Sequence, residues 1–215
     1  MASCCDGEGY EAVFTDRFAR RVATRYRKRG LDATSARIVD FVSGHDLQGA
    51  SVLEIGGGVG EIQLELLRRG AARATNLEIS KNYEAEARGL LERSGLTDRV
   101  TRRFVDIAES PGDVEQADIV VLHRVVCCYP DYERLLSAAG SHARRLLVFS
   151  HPPDNLVSRG LVGAENVLAR LRRRTFRAFV HPAEAMETVL VGTGLDRRYV
   201  HRGRAWRVVG LERAL

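Results

Sequence analysis

Residues 52–60 read Val-Leu-Glu-Ile-Gly-Gly-Gly-Val-Gly, and a helix-forming run, Glu61 to Arg69, follows directly before Gly70. An apolar run, a cluster of spaced glycines and an amphipathic run predict a short strand over Ser51 to Ile55, a tight turn, and a helix. Glycine suits such a turn because nothing projects from its Cα to keep a ligand away from the backbone amides. Amides at the start of a helix also favour polar or anionic groups. A Gly-x-Gly-x-x-Gly pattern would first suggest a dinucleotide. Here the spacing is Glu54-x-Gly56-x-Gly58-x-Gly60, with Gly57 inside it and an acid one residue before the strand ends.

Downstream, strand and helix patterns alternate. Arg73 to Glu78 reads as a strand, and Ser80 opens a helix bearing Tyr83, Ala87, Leu90 and Leu91. Val100 to Val105 and Asp118 to Leu122 are further strands, the latter apolar enough to be buried on both faces. Asp131 starts a helix and Arg145 to Ser150 is a fifth strand. This alternation predicts an α/β fold: a Rossmann-like, doubly wound, mostly parallel seven-stranded sheet with helices on both faces. Leu156 to Arg174 reads as a long helix with Val157, Leu161, Leu168 and Leu171 on one side, and Pro182 starts another. Leu195 to His201 and Ala205 to Leu211, joined by residues 202–204, predict a closing antiparallel hairpin.

Upstream, Phe14, Phe18, Val22 and Tyr26 recur every fourth residue, one narrow apolar stripe on a basic helix that Gly30 ends. A second helix opens at Thr34 or Ser35 and stops at Gly44. Residues 1–45 are expected to be a helical extension acting as a mobile lid, and residues 46–215 the ligand-binding domain.

Two more acids end predicted strands. Glu78, with Ile79 beside it, lies 18 residues after Gly60, where its two oxygens can accept bonds from both hydroxyls of a ribose. Asp106, with Ile107, ends the third strand. Taken with Ala117-Asp118-Ile119-Val120-Val121-Leu122-His123 and the loop after it, these four segments resemble in order and spacing the motifs of class I S-adenosylmethionine-dependent methyltransferases. The resemblance implies S-adenosylmethionine as cofactor. It places Glu54 beside the methionine end and the backbone of Gly56, Gly57, Gly58 and Gly60 under adenosine and methionine. It places Asp106 on the adenine amino group, with Ile107 against the ring. Within the family, VLEIGGGVG, the Tyr129-Pro130-Asp131 segment and the late His181-Pro182 helix start are similar to magnesium-protoporphyrin O-methyltransferases; the Cys127-Cys128 pair departs from them.

Methyl transfer is an in-line displacement, so the chain chiefly aligns the acceptor and removes its proton where one must leave. His123, at the end of the fourth strand, is a candidate base or positioning group, and could equally pack on the adenosine. Tyr129 and His151 also follow carboxyl ends of strands, the ligand side of such sheets. The cysteines come as adjacent pairs, Cys4-Cys5 and Cys127-Cys128, without the gap of a zinc knuckle, and no metal site is assigned. Buried small hydrophobes explain Cys127 and Cys128. The sharper alternative has a lid bringing Cys4 or Cys5 over them to hold a soft metal or metalloid, or to act as a redox pair.

With 215 residues, 45% hydrophobic and 28% charged, the chain has the composition of one ordinary globular domain. No apolar run reaches the roughly 20 residues of a membrane span and no secretory leader is evident, so the expected location is cytoplasmic. Net charge is +5, with arginines dense over 17–29 and 170–177, yet aromatic residues do not interleave with them as single-strand binding needs. Only Lys28 and Lys81 are lysines among 33 basic residues, a compositional preference for arginine rather than a phosphate footprint. The partner expected is therefore a small-molecule methyl acceptor, not nucleic acid. A nicotinamide-dependent oxidoreductase and a non-catalytic cofactor-binding subunit remain the alternatives; the acceptor atom and oligomeric state are not legible.

Overall fold

The computed structural model describes residues 7–214. Among the described residues seven strands form one sheet in the order β3-β2-β1-β4-β5-β7-β6. They are β1 (Ser51–Ile55), β2 (Arg73–Glu78), β3 (Val100–Phe104), β4 (Ala117–Leu122), β5 (Ala143–His151), β6 (Leu195–Arg202) and β7 (Arg207–Arg213). The first five run parallel; β7 pairs antiparallel with β5 and with β6, closing the sheet as a hairpin.

Strand side chains alternate between two buried layers, as the two-residue period of a strand requires. Val52, Ile119, Val121 and Val148 face one core, shared with α2 (Asp16–Arg29), α3 (Ala33–Ser43), α4 (Glu61–Arg68) and α5 (Glu84–Ser94). Leu53, Val120, Leu122 and Phe149 face the other, under α6 (Tyr132–His142) and α8 (Ala183–Gly192). Strand order reverses between β1 and β4, so the loops after them part there and leave a crevice. Gly56 lies at that point: a Cβ on it would come within 2.5 Å of Val125, in the loop after β4.

Three sequence expectations need correction at the amino-terminal side. The Phe14-to-Tyr26 helix is two: α1 (Gly7–Val13) ends before Phe14, and Thr15 caps α2 by accepting from the Phe18 amide. The cap of α3 is Asp32, which accepts from the Thr34 and Ser35 amides and displaces the expected start by one or two residues. Ser80 does not cap; a 3-10 turn, Lys81–Tyr83, precedes α5, and the Ser80 hydroxyl donates to the Phe14 carbonyl.

More consequential is how α2 docks. Ala19 and Ala23 are fully buried in the core, and the Tyr26 hydroxyl donates to Glu65 at 2.6 Å on α4. Phe14, Phe18 and Val22 instead face the crevice. The helix therefore packs through one broad arc of about 140° where a narrow stripe was expected, because alanine, too small to mark a stripe in sequence, widens it with the tight contact. This segment packs on the core and walls one side of the crevice.

α7 (Leu156–Leu171) is the other departure: none of its residues is buried.

Candidate functional site

The crevice is a cavity of about 170 Å³ at the carboxyl ends of β1, β2, β3 and β4. Its floor is the glycine turn. Gly56, Gly58 and Gly60 have φ of 62°, 54° and 83°, the left-handed region that a side chain disfavours. Gly57 has no room for a Cβ, which would lie 2.2 Å from the Asn76 amide nitrogen and 2.9 Å from the Glu54 carboxyl carbon. The turn is held from both sides. The Gly56 amide donates to the Leu77 carbonyl at 2.7 Å, and Arg102 donates to the Gly58 carbonyl at 3.1 Å.

Glu78 is the principal brace. One carboxylate oxygen accepts from the Gly58 amide at 2.8 Å, and the other from the Ile79 and Ser80 amides at 2.8 and 3.1 Å. Burial raises its pKa despite these bonds. Asp106 is similarly engaged, accepting from the Ala108 amide and from the Tyr129 hydroxyl, each at 2.9 Å. Tyr129 is thus tied to Asp106, and burial next to that carboxylate raises its pKa, so its hydroxyl keeps its proton.

His123 closes the far end. Its ring nitrogens lie 2.9 Å from the Ser150 hydroxyl and 3.3 Å from the Ser35 hydroxyl. Burial, reinforced by the adjacent Arg124 guanidinium, pushes its pKa down to about 3, so the imidazole is neutral at physiological pH. Arg124 itself has φ of 60°, a conformation costing a side-chain-bearing residue about 1–2 kcal/mol. Its contacts hold it there: its amide donates to Ser150, its guanidinium pairs with Asp32 at 2.8 Å and lies 5.0 Å over the Trp206 ring. Burial opposes ionisation of Asp32, but the Ser35 amide with Arg25 and Arg124 outweighs it and holds that carboxyl below the usual range.

Glu54, Gly56, Gly57, Gly58, Glu78, Ile79, Asp106, Ile107, His123 and Tyr129 all line the cavity. Gly60 lies behind it, at the start of α4. His151 is elsewhere: it ends β5, stacks on Phe149 at 5.5 Å and binds the Pro152 carbonyl through Nδ1. Its other ring nitrogen is buried without a hydrogen-bond partner among the described residues. Cys128 lines the cavity, its sulfur 3.7 Å from that of Cys127; Cys4 and Cys5 lie outside the described residues.

Sequence reading passed over several residues of the site. Tyr10 is one: with Phe14 and Phe18 of the expected lid stripe it forms an aromatic roof. Glu61 directly follows the glycine turn and lines the cavity with its pKa raised by burial. Asp32, Arg102 and Arg124 place their charges from three separate elements. Arg102, basic in the middle of β3, is the one that left a signal.

Glu54 is buried, accepting from the Gln63 amide at 3.2 Å. Burial foremost, then the nearby Glu61, holds its carboxyl well above the ordinary range. The folded protein therefore keeps a proton that the unfolded chain has released, and stability falls as pH rises from the ordinary carboxylate range toward the raised folded value. Glu54→Gln removes that penalty and keeps an acceptor for Gln63. The ligand-free variant is expected to melt above the wild type at about pH 8, with the gap closing toward about pH 5. Melting curves across pH test this, and parallel curves would acquit Glu54.

Comparison with known proteins follows the same lines. A family model described as a methyltransferase domain matches residues 18–199. The chain belongs to this methyltransferase family. Ribosomal protein L11 methyltransferase from Aeromonas hydrophila is 34% identical over 92 residues, 43% of this chain and 30% of that protein. The match thus spans less than a third of the relative's length. Magnesium protoporphyrin IX methyltransferase from Synechocystis PCC 6803, solved with bound SAH, superposes with a TM-score of 0.71 at 21% identity, covering 95% of this chain and 100% of that one. An O-methyltransferase family protein from Burkholderia thailandensis gives 0.68 at 17% identity, covering 94% and 64%. The shared fold is that of class I methyltransferases, with the parallel sheet and terminal hairpin expected from sequence. No helix among the described residues is long and apolar enough to cross a membrane.

Proposed function

We propose that the chain is an S-adenosylmethionine-dependent methyltransferase acting on a small-molecule acceptor. The observation that carries the reading is the Glu78 carboxylate gripping the Gly58 amide from across the turn, where Gly58 lines the cavity without a side chain. Such a cradle fits a ligand lying flat against the backbone, with Glu78 at its ribose and Asp106 at its base.

Bound S-adenosylmethionine supplies a methyl group on a sulfonium that already leaves well. The residues then divide the remaining work. Glu78, Ile79, Asp106 and Ile107 hold the adenosine side, and Tyr129 orients Asp106 through its hydroxyl. Glu54 and the glycine backbone face the methionine side. The aromatic roof and Val22 exclude water. His123, neutral and held by two serine hydroxyls, orients the acceptor; a ring whose protonation is so disfavoured does not serve as its base. His151, outside the cavity, is given no part.

The name of the L11 relatives makes a protein acceptor the second reading. The roof formed by α1 and α2 favours the small molecule, because it narrows the approach to the cavity. Calorimetry is expected to show binding of S-adenosylhomocysteine and none of NADH. His123→Ala should keep that affinity within about threefold while losing roughly a hundredfold or more in turnover. With His123 uncharged, the wild-type rate should show no inflection near pH 6.5 from its protonation. Radiolabelled methyl transfer to a panel of small hydroxylated and amine acceptors, with ribosomal protein L11 alongside, checks both. Labelling of L11 alone would replace the small-molecule reading, and an absence of S-adenosylhomocysteine binding would end both.

A further inference from the structure

α7 is amphipathic the wrong way round. Four of its side chains, Ser158, Val162, Asn166 and Ala169, lean toward the domain, and Asn166 holds the segment by bonding both backbone groups of Ala178. The apolar residues Leu156, Val157, Leu161, Val167, Leu168 and Leu171 point outward, each between 45% and 87% exposed. At roughly 100° per residue they fall within one continuous arc of about 140°. A solvent-exposed helix ordinarily shows water the opposite face, and an uncovered apolar arc of this width marks an interaction surface.

Charge identifies what covers it. Glu165 is the one acid in the helix, and Arg170, Arg172, Arg173 and Arg174 crowd its carboxyl end, all exposed. An apolar arc bordered by arginines is the pattern of a helix lying in the interface of an anionic membrane, where the apolar side chains enter the acyl boundary and the guanidinium groups meet phosphates. A second copy presenting the same helix would instead offer these arginines only Glu165 as a counter-charge. The covered surface would adjoin the cavity, since Phe176, just past these arginines, packs edge-on against Tyr10 and Phe14 of the roof at 5.8 and 5.7 Å.

We infer that α7 is a docking face for an anionic lipid bilayer. This stands apart from the proposed activity and needs no cofactor to test. The full chain is floated with vesicles of phosphatidylcholine alone and of phosphatidylcholine mixed with phosphatidylglycerol. It should partition onto the mixed vesicles at least tenfold better. Leu161→Glu combined with Leu168→Glu, and separately Arg172→Gln with Arg173→Gln and Arg174→Gln, should each lower that partition by about tenfold or more. Unchanged melting temperatures confirm that both variants fold, as expected for residues exposed to solvent. Indifference of the wild type to phosphatidylglycerol, or wild-type partition of the leucine variant, overturns the inference. So does a dimer, seen by light scattering, that the leucine variant dissolves while vesicles fail to retain the wild type; the face would then join two copies.

Discussion

Gly58→Val is expected to lose S-adenosylhomocysteine binding by a hundredfold or more while the protein stays folded. A β-branched residue at a φ of 54° costs about 1–2 kcal/mol, which for a domain of this size lowers the melting temperature by roughly 2–8 °C. Space allows it: the added Cβ comes only to 3.3 Å from Tyr83, whose ring can give slightly. The methyl groups, however, would stand in the cavity that Gly58 lines. Gly57 is not equivalent. A Cβ there drives into Asn76 and Glu54, both buried, so Gly57→Val is expected to damage the fold itself. Calorimetry paired with thermal melting separates the two positions. A folded Gly58→Val protein with wild-type affinity would remove the glycine turn from the binding site.

Glu78→Ala carries the second large effect. With three of its roughly four acceptor positions taken by amides, the carboxylate has one left for a ribose hydroxyl, a charged hydrogen bond worth about 1.5–3 kcal/mol, or roughly ten- to a hundredfold in affinity. The three amides it gathers raise the expectation. Without Glu78 the Gly58, Ile79 and Ser80 N–H groups lose their acceptor, and the turn after β1 loses its tie to the end of β2. Affinity for S-adenosylhomocysteine should therefore fall a hundredfold or beyond, and amide exchange at those three residues should accelerate in the ligand-free protein. Glu78→Gln, with one acceptor oxygen, should land between. Asp106→Ala should be milder than Glu78→Ala, as Asp106 braces a single amide and Tyr129. Unaltered exchange at Gly58 would mean that the brace does not hold the turn in solution.

Together these expectations make the site a set of mutual restraints rather than a list of ligand contacts. The raised pKa values of Glu54, Glu61 and Glu78 oppose stability at neutral pH, yet these acids line the cavity. A fold that keeps such groups is trading stability for a polar pocket.

By itself the sequence determined the sheet and the cradle, because both are local. A strand, a glycine turn and a helix are written in consecutive residues, and β1 and β2 begin and end at the residues expected from sequence. Acids at strand ends, Glu54, Glu78 and Asp106, come to one edge automatically once the strands are parallel. Tertiary structure decided what depends on distant segments meeting. Tyr129 reads as a catalytic phenol in sequence, but the fold brings Asp106 to its hydroxyl. His151 sits one strand over from His123, yet points into the layer under α6 and α8, away from the cavity. The roof over the cavity comes from a stripe that was plain in sequence, whereas the Ala19 and Ala23 contacts that fix it to the core were not, and the electrostatics of His123 come from Asp32 and Arg124, 92 residues apart. For α7 the apolar period was plain and its direction was not. Periodicity tells which residues share a face, while only packing tells whether that face meets protein, and in this chain it meets solvent.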